Sequence, residues 1–99
     1  MRIAWSSEAR RQFLAIIHRI SLDAPERALA YADKIEAKVR RLQRFPRSGR
    51  IVPEFRDAAD PPLEILIDDY RLVYKIRPKE IFITHIFHGM RQFPSFPAV

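Results

Sequence analysis

The chain has 99 residues, 47% apolar and 30% charged, with no cysteine. A length this small leaves room for one hydrophobic core, so a single domain over 1–99 is expected, with no disulfide framework, thiolate zinc site or cysteine nucleophile. Eighteen Lys and Arg against twelve Asp and Glu give a net charge of +6, which on a small surface favours a nucleic acid or an acidic protein as partner. Apolar runs such as Ile65-Leu66-Ile67 and Ile81-Phe82-Ile83 fall far short of the roughly 20 residues of a membrane span. The opening Met1-Arg2-Ile3-Ala4-Trp5 has no apolar signal-peptide region, so no membrane association and a cytoplasmic location are expected.

Arg2 to Trp5 can add a short edge strand. From Ser6 to Ile20 the spacing of Ala9, Phe13, Ile16, Ile17 and Ile20 gathers apolar residues on one helical stripe, with Arg10, Arg11 and Arg19 off it. Ser6 is the expected N-cap, and Glu8 suits the positive end of the helix dipole. After a break of about three residues, Asp23-Ala24-Pro25-Glu26 reads as a second helix start, with Asp23 as cap and Glu26 at a capping-box spacing. Ala28, Ala32, Ile35, Val39 and Leu42 then form one face of a long helix, which Pro46 and Gly49 terminate.

Beyond Gly49 the apolar period changes to two, predicting three strands around Leu63–Ile67, Tyr70–Ile76 and Ile81–His88. A tight turn at Asp68-Asp69 sets Leu66 across from Arg71, and a turn around Pro78-Lys79 is expected to set Ile86 across from Arg71 on the other side. In that register Leu63, Ile65, Ile67, Tyr70, Leu72, Tyr74, Ile76, Ile81, Ile83 and Phe87 face the helices. The opposite face then shows Glu64, Arg71, Lys75, Thr84 and His88, a polar surface. Asp57 to Pro62 is expected to be an exposed loop and 95–99 a loose tail. The fold class is therefore α+β: a short N-terminal strand and an antiparallel two-helix hairpin packed on a mainly antiparallel sheet of three to four strands.

In this order of elements three passages stand out: Leu42-Gln43-Arg44-Phe45-Pro46-Arg47-Ser48-Gly49-Arg50 with Val52-Pro53-Glu54 after it, Tyr70-Arg71-Leu72-Val73-Tyr74, and His88-Gly89-Met90-Arg91-Gln92-Phe93-Pro94. Together they resemble the RelE/ParE superfamily of bacterial toxins from type II toxin–antitoxin pairs, over nearly the whole chain. Leu63-Glu64 departs from the Arg-Glu usual in related toxins. The resemblance implies one of two activities. RelE-like members cut ribosome-bound mRNA without a metal, whereas ParE-like members poison DNA gyrase and block replication. The C-terminal passage looks more like the ParE branch, which implies a binding toxin rather than an enzyme, neutralised by a cognate antitoxin.

An RNase would need a base, cations and an acid around a phosphate, and Arg71, His88 and Glu54 are the residues available for it. The plainer role for Arg71 is pairing with Glu64 or Glu54 to hold the strands together, and this is the preferred reading. The gyrase reading places a functional surface at Arg71, His88, Arg91 and Phe93. Arg40, Arg41, Arg44, Arg47 and Arg50 fall within eleven residues. They read equally as cations suited to a helix C-terminus and a solvated surface or as a patch for an acidic antitoxin segment or a nucleic acid, of which the antitoxin is preferred, since only Phe45 interleaves as a stacking aromatic. His85 is expected on the core face beside Leu72 and His18 in solvent. Three scattered His without Cys indicate no metal, and no cofactor is implied.

Overall fold

The computed structural model describes residues 1–89. In chain order it contains β1 (Arg2–Trp5), α1 (Ser7–Asp23), α2 (Pro25–Arg44), β2 (Arg50–Ile51), a 3-10 turn (Pro53–Phe55), β3 (Leu63–Ile67), β4 (Tyr70–Ile76) and β5 (Glu80–His88). The tail expected at 95–99 lies outside the described residues. No helix among the described residues is long and apolar enough to cross a membrane.

Ser6 caps α1: its backbone is extended and its Oγ accepts from the Ala9 N–H at 3.0 Å. The same hydroxyl donates to the Thr84 carbonyl at 2.9 Å, so the cap also ties α1 to β5. The hairpin is tighter than expected. Only Ala24 separates the helices, and Asp23 ends α1 instead of capping α2. The cause is Pro25, which forces Ala24 out of the helical region (φ −149°, ψ 87°), while the Ala24 N–H still closes α1 on the Ile20 carbonyl. Pro25 itself has no N–H to satisfy, so α2 starts without a side-chain cap.

The sheet has five strands in the order β1-β5-β4-β3-β2, with β1 parallel to β5 and every other pair antiparallel. Three to four were expected. The addition is β2, where Arg50 and Ile51 pair with Glu64 and Leu63; a two-residue strand is too short to show an alternating pattern. One sheet face buries Ile67, Leu72, Tyr74, Ile81, Ile83 and Ile86 against Ala9 and Ile16 of α1 and Ile35, Val39 and Leu42 of α2.

The β4–β5 register differs from the expected one in a way that matters for the site. Tyr74 pairs with Ile83 but Val73 pairs with His85, so Thr84 is an extra residue in a bulge. A one-residue insertion exchanges the faces of everything beyond it. Arg71 therefore pairs with Phe87 rather than Ile86; Ile86 joins the helix-side core, and Phe87 moves to the opposite face. There Val52, Val73 and Phe87 form a second buried cluster with Phe55 packed against it. The chain from Arg50 to Phe55 thus covers part of a face expected to be solvated.

Candidate functional site

Under that cover, Glu64 on β3 and Arg71 on β4 lie on the outer face, with relative exposures of 1% and 8%. Arg71 Nε donates to Glu64 Oε1 at 2.7 Å, and its two terminal nitrogens donate to the two Glu54 oxygens at 2.8 and 2.6 Å. Arg50 Nε donates to Glu64 Oε2 at 2.7 Å. The guanidinium also lies 5.5 Å from the centroid of the Phe87 ring. A bidentate fork on one carboxylate and a third bond to another is the geometry that makes a buried guanidinium tolerable. Its hydrogen bonds to Glu54 hold the Arg71 proton more tightly than usual.

The Arg71 hydrogen bonds also push the Glu54 carboxyl down to about 2 from an ordinary 4.5. A carboxyl whose folded pKa is depressed contributes stability that is complete above its unfolded pKa and is lost as pH falls through the folded one. Glu54 is 43% exposed, so water screens the pair and the expected loss between about pH 5 and pH 2 is on the order of 1 kcal/mol. Thermal melts across that range should show the wild type losing more stability than Glu54→Gln. Parallel curves would remove the assignment.

The set considered for phosphate chemistry is not assembled. His88 pairs with Tyr70, on the helix side of the sheet, while Arg71 pairs with Phe87 on the other. The bulge at Thr84 is the reason: it turns His88 away from the face it was expected to share with Arg71. His88 meets the Tyr70 ring edge-on at 5.6 Å, and Tyr31 lies 6.0 Å beyond Tyr70. Arg19 donates to the Tyr70 hydroxyl, and Lys34 bridges both oxygens of Asp68 at 3.0 and 2.9 Å. Burial, with Asp68 nearby, pushes the Tyr31 hydroxyl pKa up. Nothing in the sequence pattern flagged Arg19, Tyr31 or Tyr70 as neighbours of His88, because the bulge decides which face His88 takes.

His85 pairs with Val73 and so takes the face opposite Leu72, not the core face expected for it. It is buried there, and burial pushes its pKa down. His18 is exposed. Among the described residues no group of three or more His, Asp or Glu is placed to hold a metal. Arg91 and Phe93 lie outside the described residues.

Arg40, Arg41, Arg44, Arg47 and Arg50 are all exposed, at the end of α2 and on the loop that follows. Among the described residues, Arg50 is the member of this set in an ion pair. The loop is fastened from below by Tyr74, whose buried hydroxyl donates to the Pro46 carbonyl at 2.7 Å and accepts from the Gly49 N–H at 3.0 Å. Sequence reasoning missed this latch, since Tyr74 reads simply as one more core position of β4.

The family model described as "ParE toxin of type II toxin-antitoxin system, parDE" matches residues 3–93. A solved structure, the chromosomal ParDE TA system from P. aeruginosa, is similar with a TM-score of 0.73 at 22% identity, over 89% of this chain and 95% of that one. At that identity the likeness is one of fold. No curated protein matches the sequence.

Proposed function

Because the chain belongs to the ParE toxin family of type II toxin–antitoxin systems, we propose that it acts in the cytoplasm by binding and inhibiting DNA gyrase, and that a cognate antitoxin neutralises it. The observation that carries a binding rather than a cleaving mechanism is the placement of Arg71. Its guanidinium is engaged by two carboxylates inside the protein, and His88 stands on the other side of the sheet. A cation so neutralised has little left for a phosphorane-like transition state.

In this reading the gyrase-facing residues are His88, Arg91 and Phe93, while Arg71 serves the fold through its ion pairs with Glu54 and Glu64. The antitoxin contact is the exposed arginine set Arg40, Arg41, Arg44, Arg47 and Arg50, which fits an acidic segment. Support for the partner comes from the family and from the similarity to a ParDE toxin–antitoxin system.

The test is a supercoiling assay with purified toxin, gyrase and relaxed plasmid. Loss of supercoiling or trapping of cleaved DNA is expected, with reversal on adding the antitoxin encoded beside the toxin. Unimpaired gyrase at saturating toxin would rule the target out.

A further inference from the structure

A groove at the end of α2 is used neither by the Glu64–Arg71 network nor by the cluster around His88. Met1, Phe45, Pro46 and Ile76 line it, Arg41 and Arg47 stand beside them, and its volume is about 700 Å³. Among the described residues no carboxylate lines it. Phe45 is 51% exposed, a large apolar surface to leave in water. The Arg44 guanidinium lies 5.7 Å from the centroid of that ring.

The charge around the groove is one-sided. Lys38, Arg40, Arg41, Arg44, Arg47 and Arg50 occupy a stretch without a single Asp or Glu, and their number equals the net charge of +6. Among the described residues Arg40, Arg41, Arg44 and Arg47 form no ion pair. The turn that carries Arg47 is preset, because the Tyr74 hydroxyl holds Pro46 and Gly49 together. A site already in its bound shape loses little conformational entropy when a ligand arrives.

We propose that this groove is the anchoring subsite for an acidic segment of the antitoxin, which buries one apolar side chain among Met1, Phe45 and Ile76 while its flanking carboxylates meet Arg41 and Arg47. The proposal rests on the antitoxin reading above and adds the anchor residue and the preset turn. The apolar wall decides between partners of negative charge. A phosphate backbone would use the arginines but gain nothing from Met1, Phe45 and Ile76, whereas an acidic peptide with one apolar residue uses both.

The probes are acetyl-Glu-Glu-Leu-Glu-Glu-amide and its counterpart with Ala in place of Leu, titrated into the full-length, isotope-labelled toxin and followed by NMR. The Leu peptide should bind about tenfold more tightly than the Ala peptide, shifting the resonances of Met1, Phe45 and Ile76. Arg41→Gln with Arg47→Gln should weaken the Leu peptide about fivefold. Removing the same charge at the exposed Arg27 and Arg56, which form no ion pair among the described residues and do not line the groove, should change it by less than about twofold. Tyr74→Phe, kept only if its melt stays cooperative, should weaken the Leu peptide as well, through a looser turn. Equal binding of the two peptides, equal effects of the two charge-removal pairs, or shifts confined to other residues would overturn the proposal. So would displacement of the Leu peptide by a short DNA duplex at an equal concentration of charge, which would make the surface a nucleic-acid contact. None of these readouts involves gyrase or the whole antitoxin: a neighbouring antitoxin that fails to bind the toxin in a pull-down would discard the antitoxin reading, whereas failed peptide arms beside a binding antitoxin would discard the groove alone.

Discussion

Arg71→Ala is expected to destabilise the fold by about 3–5 kcal/mol, because it strands a buried carboxylate instead of removing a surface charge. Among the described residues Glu64, at 1% exposure, would keep only Arg50 as cation, and Glu54 would lose both of its hydrogen bonds from Arg71. For a domain of this size that corresponds to a fall in Tm of roughly 12–40 °C, a large share of the total stability. Glu54→Ala should cost far less, about 1 kcal/mol, since Glu54 is half in water. The double change Arg71→Met with Glu64→Leu should recover much of the loss, because it removes both buried charges and keeps the volume. Thermal melts of the four proteins check the ordering, and an Arg71→Ala protein that melts with the wild type would refute the assignment of the network as a buried scaffold. The expected instability also means that a loss of toxicity in Arg71→Ala reports unfolding before it reports anything about a target.

Gly49→Ala is expected to be the second severe change, although the loop around it is exposed. A Cβ at Gly49 would sit 2.6 Å from the Glu64 carbonyl oxygen and 2.6 Å from the Tyr74 hydroxyl. Neither neighbour can withdraw easily. The carbonyl is part of β3, and the hydroxyl is held by its bond to Pro46 in a residue with no exposed surface. The loop must lift, with loss of the Gly49 N–H bond to Tyr74, and the expected cost is about 2–3 kcal/mol. In a Tyr74→Phe background one of the clashing atoms is gone, so Gly49→Ala should cost measurably less there, a non-additivity of at least about 0.5 kcal/mol. Denaturant titration of the four proteins closes the cycle, and strict additivity would show that the hydroxyl is not what Gly49 accommodates.

Both predictions concern interactions that link distant parts of the chain, and these are what periodicity conveys least. The helices were legible because each carries its own signal: Ser6 before a 3.6-residue stripe, Pro25 at a start, Pro46 and Gly49 at a stop. The turn at Asp68-Asp69 was legible too, and the Leu66–Arg71 pairing across it is observed. The bulge at Thr84 was not, because a period-two pattern with one residue inserted still reads as a strand. One inserted residue moved Phe87 and His88 to faces opposite those expected. The candidate site fared accordingly. The residues around Arg71 were readable as a pairing network, whereas the supposed pair of Arg71 and His88 depended on a register that local sequence does not specify.

The sequence by itself determined the class of fold, the order of the two helices and the four longer strands, and the place where its excess charge is concentrated. Each of these depends on composition and short-range spacing, which act within a few residues. Only the tertiary structure decided that Arg71 is buried and engages Glu54 and Glu64 at once, that His88 joins Tyr70 and Tyr31, and that Tyr74 fixes the arginine-bearing loop. Those outcomes depend on which side of a sheet a residue emerges and on what the chain lays over it. Both follow from a bulge and a two-residue strand too small to leave a periodic trace.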